Sequence, residues 1–163
     1  MRYIITVLVQ NHYGVLSKVS GLIARRGFNI ESLAVGVTEN PDISRMTIVT
    51  DCDENGIEQV EKQLNKLIPT IKVKVLEAGA YIARELTMVK VSCNAKTRPE
   101  IMDLAEIMRA RIIDVTATSM TLELTDTNAR TENFIALLKP FGIKELVRTG
   151  ISAIELGANT TKK

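Results

Sequence analysis

Residues 3–10, Tyr3-Ile4-Ile5-Thr6-Val7-Leu8-Val9-Gln10, run directly into Asn11-His12-Tyr13-Gly14-Val15-Leu16-Ser17, and the change of pattern between them decides the fold. The first stretch is apolar and β-branched, the pattern of a largely buried strand. Beyond Gly14 the period changes, because Val15, Leu16, Val19, Leu22 and Ile23 fall at helical spacing on one face. Gly27 ends that helix as a residue at ease in left-handed backbone. Residues 30–37 read as a second strand, Glu39-Asn40-Pro41-Asp42 as a turn cluster and residues 44–50 as a third strand. Ile57, Val60, Leu64, Leu67 and Ile68 give a second helical face, which Pro69 stops. Ile71-Lys72-Val73-Lys74-Val75 then alternates apolar with charged, one face buried and one wet. The order strand, helix, strand, strand, helix, strand is the ferredoxin-like unit, an antiparallel sheet with both helices on one face.

The second half repeats this order. Residues 86–92 read as a strand, and Thr97-Arg98-Pro99-Glu100 offers a capping box with proline at the first helical position. Ile101, Leu104, Ala105 and Met108 continue that helix. Residues 112–116 and 120–124 are strands. A helix over about 129–139 is ended by Pro140 and Gly142, and residues 143–148 close the unit. The chain is therefore expected to be α+β, with two βαββαβ units over 1–78 and 79–156, joined near Gly79, and a flexible tail over 157–163.

Composition excludes several functions. Of 163 residues, 45% are hydrophobic and 25% charged, and the net charge is only +2 with Lys and Arg spread evenly, so the clustered cations of nucleic-acid binding are missing. An RNA-recognition sheet would carry aromatics on its central strands, but residues 4–7 and 46–49 have none. Cys52 and Cys93 stand far apart without metal-type spacing and read as two buried or half-buried thiols. No apolar run approaches a membrane span. The opening residues alternate as a strand rather than as a signal peptide. The expectation is a cytoplasmic protein with no metal site.

Catalytic chemistry is equally sparse. His12 has no Ser or Cys partner at triad spacing and reads as a loop residue. Asp114, Glu123 and Glu145 are too scattered for a paired acid and base. The informative segment is the loop before the first helix. Gly14 lets backbone approach a ligand closely, and the helix start offers unpaired N–H groups that receive a carboxylate. The side-chain oxygens of Asn11 and Asn29 are candidates for an ammonium group. Val15, Leu16 and Ile30 could wall an apolar side chain. Singly, Asn11 reads as a helix cap, Gly14 as a turn residue and Asn29 as a helix exit. Taken together, at the same end of a helix pair, they read as a site for a small anionic or zwitterionic metabolite.

The stretch Asn11-His-Tyr-Gly14-Val-Leu-Ser17-Lys-Val-Ser-Gly21-Leu, then Arg26-Gly27-Phe28-Asn29-Ile30-Glu31-Ser32-Leu33, resembles the ACT domain of acetolactate synthase small subunits. Ser44-Arg45-Met46-Thr47 and residues 62–67 extend the likeness. Arg84-Glu85-Leu86, Ile112-Ile113-Asp114-Val115-Thr116 and Arg148-Thr149-Gly150 carry it through the second half. One departure is Ile107-Met108-Arg109-Ala110-Arg111, where relatives more often have Phe and Gly near Met108 and Ala110.

The resemblance implies a non-catalytic regulatory subunit, a homodimer whose ACT domains pair edge to edge. The loop from Asn11 to Leu16 of one copy would hold the carboxylate of valine, or of leucine or isoleucine, and Asn29 and Ile30 of the other would close the site. The subunit would raise the activity of a separate catalytic large subunit, and valine would lower it. Thiamine diphosphate, magnesium and FAD are expected in that large subunit and no cofactor in this chain. Two other readings remain at this point. One is an ACT-type amino-acid sensor of a different enzyme, and the other is a small ferredoxin-like enzyme acting alone.

Overall fold

The computed structural model describes residues 1–161. The first βαββαβ run consists of β1 (Arg2–Gln10), α1 (Val15–Arg25), β2 (Ile30–Val37), β3 (Ile43–Asp51), α2 (Glu54–Asn65) and β4 (Thr70–Leu76). The strands pair antiparallel in the order β2-β3-β1-β4. β1 is central, so both of its edges are paired, to β3 and to β4. Ile5, Val7 and Val9 meet Val15, Val19, Leu22 and Ile23 of α1 and Ile57, Val60 and Leu64 of α2. Asp53 caps α2 by accepting from the Gly56 N–H at 2.8 Å. A Cβ at Gly56 would stand 2.8 Å from Asp53 Oδ1 and 2.9 Å from the Phe28 ring, so only glycine lets that ring close on the helix start.

The second run holds β5 (Tyr81–Ser92), α3 (Arg98–Met108), β6 (Arg111–Val115), β7 (Ser119–Asp126), α4 (Asn128–Leu138), a 3-10 turn (Lys139–Phe141) and β8 (Ile143–Arg148). Its order, β6-β7-β5-β8, repeats that of the first sheet. Val89, Val91, Met120, Leu122 and Leu124 pack on Ile101, Ala105 and Met108 of α3 and on Phe134, Ile135 and Leu138 of α4. The expected capping box does not form. Thr97 has helical backbone and no side-chain cap bond, and Asn94 Oδ1 accepts instead from the N–H groups of Lys96 and Thr97 at 2.9 and 3.0 Å. α3 ends on Arg109, a non-glycine residue in the left-handed backbone that usually falls to glycine, at φ +58°, one residue before Ala110, near which relatives were expected to have glycine. The carbonyl of Met108 accepts from Arg130 Nη2 at 3.2 Å.

The compact units divide elsewhere than at residues 78 and 79. One comprises Met1–Ala83 with Ile151–Lys163, the other Arg84–Gly150. Glu77–Ala80 is a tight turn rather than a linker, with Gly79 at φ +82° and the Ala80 N–H on the Glu77 carbonyl at 3.0 Å. A further strand, β9 (Ser152–Glu155), pairs with β5, and the Leu156 N–H reaches the Ala80 carbonyl at 2.9 Å. Of the segment expected as a flexible tail, 157–163, the last two residues lie outside the described residues. Thr161 is buried, its hydroxyl 3.2 Å from that of Thr6. Polar composition concealed this contact, because the surface that Thr161 meets is itself polar.

Candidate effector site at the two ends of the first helix

Gly14 is the residue before α1, at φ +80° and ψ −4°, and no side chain caps the helix. The first turn carries no acidic residue, so the leading N–H groups and the positive end of the helix dipole face outward uncompensated. No atom lies within 4 Å of where a Gly14 Cβ would stand. This is open space beside a ready anion subsite.

Asn11 does not cap the helix. Its N–H donates to the Asp42 carbonyl at 2.8 Å and its Nδ2 to the Pro41 carbonyl at 2.8 Å, which ties the loop to the turn between β2 and β3. The amide oxygen is the atom it can offer a cation. Val15 is a core residue, so it offers a ligand only its backbone N–H, whereas Leu16 is exposed. His12 is an exposed loop residue, its ring bridging Gln10 Oε1 at 3.2 Å and the Tyr13 carbonyl at 3.1 Å.

Asn29 and Ile30 lie at the other end of α1, not at the same end as the loop. Eleven helical residues separate the two groups, a span of about 16 Å. Asn29 is exposed, and its carbonyl accepts from Thr50 Oγ1 at 2.7 Å. Ile30 is half-buried and opens β2, an edge strand that exposes Val35 and Val37. An open groove of about 420 Å³ runs along α1 to this end, lined by Ser17, Ser20, Gly21, Ala24, Phe28, Asn29 and Ile30. The sequence reading missed the first five of these. The signal was present, because Ser17, Ser20, Gly21 and Ala24 are small and fall at helical spacing opposite the apolar face. Phe28 is held there by its contact with Gly56.

Away from this region, Cys52 is half-buried and Cys93 buried, both as free thiols, and burial pushes the Cys52 thiol up from its ordinary value. Among the described residues no three His, Cys, Asp or Glu side chains cluster as metal ligands, and no helix is long and apolar enough to cross a membrane.

Comparison with known proteins covers both units. Residues 5–72 match the family model described as the AHAS small subunit-like ACT domain, and residues 84–157 match the one described as the small subunit of acetolactate synthase. The chain is 48% identical over 159 residues to a probable acetolactate synthase small subunit of Methanothermobacter thermautotrophicus, covering 97% of this chain and 95% of that one. It is 44% identical over 153 residues to the acetolactate synthase small subunit of Mycolicibacterium smegmatis, covering 94% and 90%. The crystal structure of the small subunit from Thermotoga maritima superposes with a TM-score of 0.91 at 38% identity, covering 98% and 99%.

Proposed function

The chain belongs to the family of acetolactate synthase small subunits, regulatory partners of a catalytic large subunit, and we propose that it activates that large subunit and makes it sensitive to valine. Catalysis rests with the large subunit, where we expect thiamine diphosphate, magnesium and FAD to act. The setting is branched-chain amino acid biosynthesis in the cytoplasm.

The observation that carries this reading is the separation of the two halves of the candidate site by the length of α1. One chain cannot close both halves around one amino acid, but two copies related by a twofold axis can. The uncapped start of α1 in one copy would receive the carboxylate, helped by Gly14 and the N–H groups of Val15 and Leu16. The Asn11 oxygen would take the ammonium group. Asn29 and Ile30 of the second copy would close over the side chain. The small side chains of the α1 groove suit close approach of a second helix, and the unpaired edge of β2 suits strand pairing between copies.

Valine would then act by linkage. Its binding across the interface favours one dimer arrangement, and the large subunit prefers another. A coupling of about 1–3 kcal/mol suffices for useful inhibition. The test is acetolactate formation by the large subunit alone, with this protein, and with this protein and valine. Activation reversed by valine is the expected outcome. Activation that valine leaves untouched removes the effector assignment, and no activation in a complex shown to form removes the regulatory reading.

A further inference from the structure

The second segment of the first unit, residues 151–161, lies on the sheet face opposite α1 and α2. Ile151 and Ala153 are buried against Ile4, Val49 and Leu76, with Tyr81 and Ala83 packed beside them. A polar row continues the cover. Arg45 Nη2 donates to the Ala153 carbonyl at 3.0 Å and reaches Thr161 Oγ1 at 3.5 Å. Lys74 pairs with Glu155, whose side chain is only 7% exposed, and Glu155 Oε2 also accepts from Thr161 at 3.4 Å. Burial draws the Arg45 guanidinium below its ordinary value, and Glu155 opposes that shift.

The first residue of this segment is fixed to β2. The Ile151 N–H donates to Ser32 Oγ at 2.8 Å. Ser32 is two residues beyond Ile30, and the pairing of β2 with β3 shifts register between them. Such irregularities re-aim neighbouring side chains and give a strand a local hinge. Thr50 stands opposite Ile30 and holds the Asn29 carbonyl. Ile151 is also the residue at which the chain returns from Arg84–Gly150. β2, which opens with Ile30 directly after Asn29, is therefore hydrogen-bonded, beyond a register break, to Ile151, where the chain re-enters the first unit.

We propose that residues 151–161 form a strap that transmits effector occupancy at Asn29 and Ile30 to residues 84–150, with the Ser32–Ile151 hydrogen bond as its contact. The proposal rests on the effector site described above and assigns Ser32 a role in response, not in binding. Filling the site would move the start of β2 relative to Ser32, and the strap, seated at Ile151, Ala153 and Thr161, would carry the displacement into the chain leaving at Gly150. A transmitting element must differ between effector-bound and effector-free states, and a hydrogen bond beside a register break is suited to do so.

Ser32→Ala removes the acceptor and leaves the apolar and ionic seats of the strap in place. By calorimetry the variant is expected to bind valine as the parent does and, when reconstituted, to activate the large subunit fully. Its residual activity at saturating valine should rise, by as much as several-fold if this contact carries most of the coupling. Ser32→Thr keeps a hydroxyl acceptor and should restore inhibition. Unchanged inhibition in a folded Ser32→Ala protein overturns the proposal. So does loss of valine binding in that variant, because Ser32 would then belong to the site itself. Should the unsubstituted protein bind no valine, the effector reading falls, and the strap proposal falls with it for that separate reason.

Discussion

Gly14→Asp tests the carboxylate subsite most directly. The position has open space, with no atom within 4 Å of a Cβ, so the substitution meets no steric barrier. Its conformational cost is that of an L side chain at φ +80°, about 1–2 kcal/mol and least for Asp and Asn. The larger effect is electrostatic. A carboxylate on residue 14 would stand roughly 5–6 Å from an effector carboxylate bonded to the leading N–H groups of α1. With an effective dielectric of about 20–40, the repulsion is about 1.5–3 kcal/mol, a weakening of valine binding of roughly 10- to 150-fold. Gly14→Ala is the control, because it bears at least as much backbone strain without the charge and should lower folding stability while weakening valine binding far less. Calorimetric titration of the purified subunit with valine, beside thermal melts of each variant, separates the two contributions. If folded Gly14→Asp binds valine within about twofold of the parent, or if Asp and Ala weaken binding equally, the start of α1 is not where the carboxylate sits.

Three further outcomes are expected. If the site is shared between copies, mixing Gly14→Asp protein with Asn29→Ala protein and allowing subunit exchange should leave about a quarter of all sites intact; no recovery of valine binding after confirmed exchange would place all the residues in one chain. Gly56→Ala should cost about 1–3 kcal/mol in urea denaturation through overpacking, because its Cβ meets the Phe28 ring at 2.9 Å, and the displaced ring should disturb the α1 groove. Burial acts to raise the Asp126 carboxyl, but the Thr127 N–H, Arg130 and nearby Arg84 outweigh it and hold the group below its ordinary value. A depressed carboxylate stabilises the fold above its unfolded-state value and loses that contribution as pH falls through the folded one, so melting temperatures of the parent and Asp126→Asn should converge on acidification from pH 5 toward pH 2.

Most of the fold was legible because local periodicity and side chemistry agreed. Residues 30–37 and 143–148 are strands over the spans read from sequence, since each is bounded by glycine or a turn. What escaped the sequence depends on distant partners. The capping box does not form because Asn94 Oδ1 already takes the Thr97 N–H that Glu100 would reach back to, and Thr97 Oγ1 accepts from the Asn94 N–H. β9 has four residues with no strong alternation, and its pairing with β5 lies far away in sequence. For the candidate site, the sequence named residues but not their arrangement. Asn11, Gly14, Asn29 and Ile30 were singled out for their chemistry and read as lying at the same end of a helix pair, whereas the full length of α1 separates the loop from the β2 end.

The strap was announced by a conflict within the first strand. An antiparallel sheet with helices on one face and water on the other should alternate apolar and polar. Ile4, Thr6 and Leu8, which point away from the helices, are instead two apolar residues around a threonine, and all three are buried. Thr47 and Val49, paired with Thr6 and Ile4 on β3, are buried as well. A face of that composition requires a cover, and neither helix can supply it. Lys72 and Lys74 disguised the requirement by giving β4 the alternation of a wet strand, although Lys74 is paired with the nearly buried Glu155. The cation there serves the cover rather than the solvent. The return of residues 151–161 to the first unit was thus implied by β1 and masked by β4, and what a sheet face needs is set by its central strand, which has neighbours on both sides, more than by its edge.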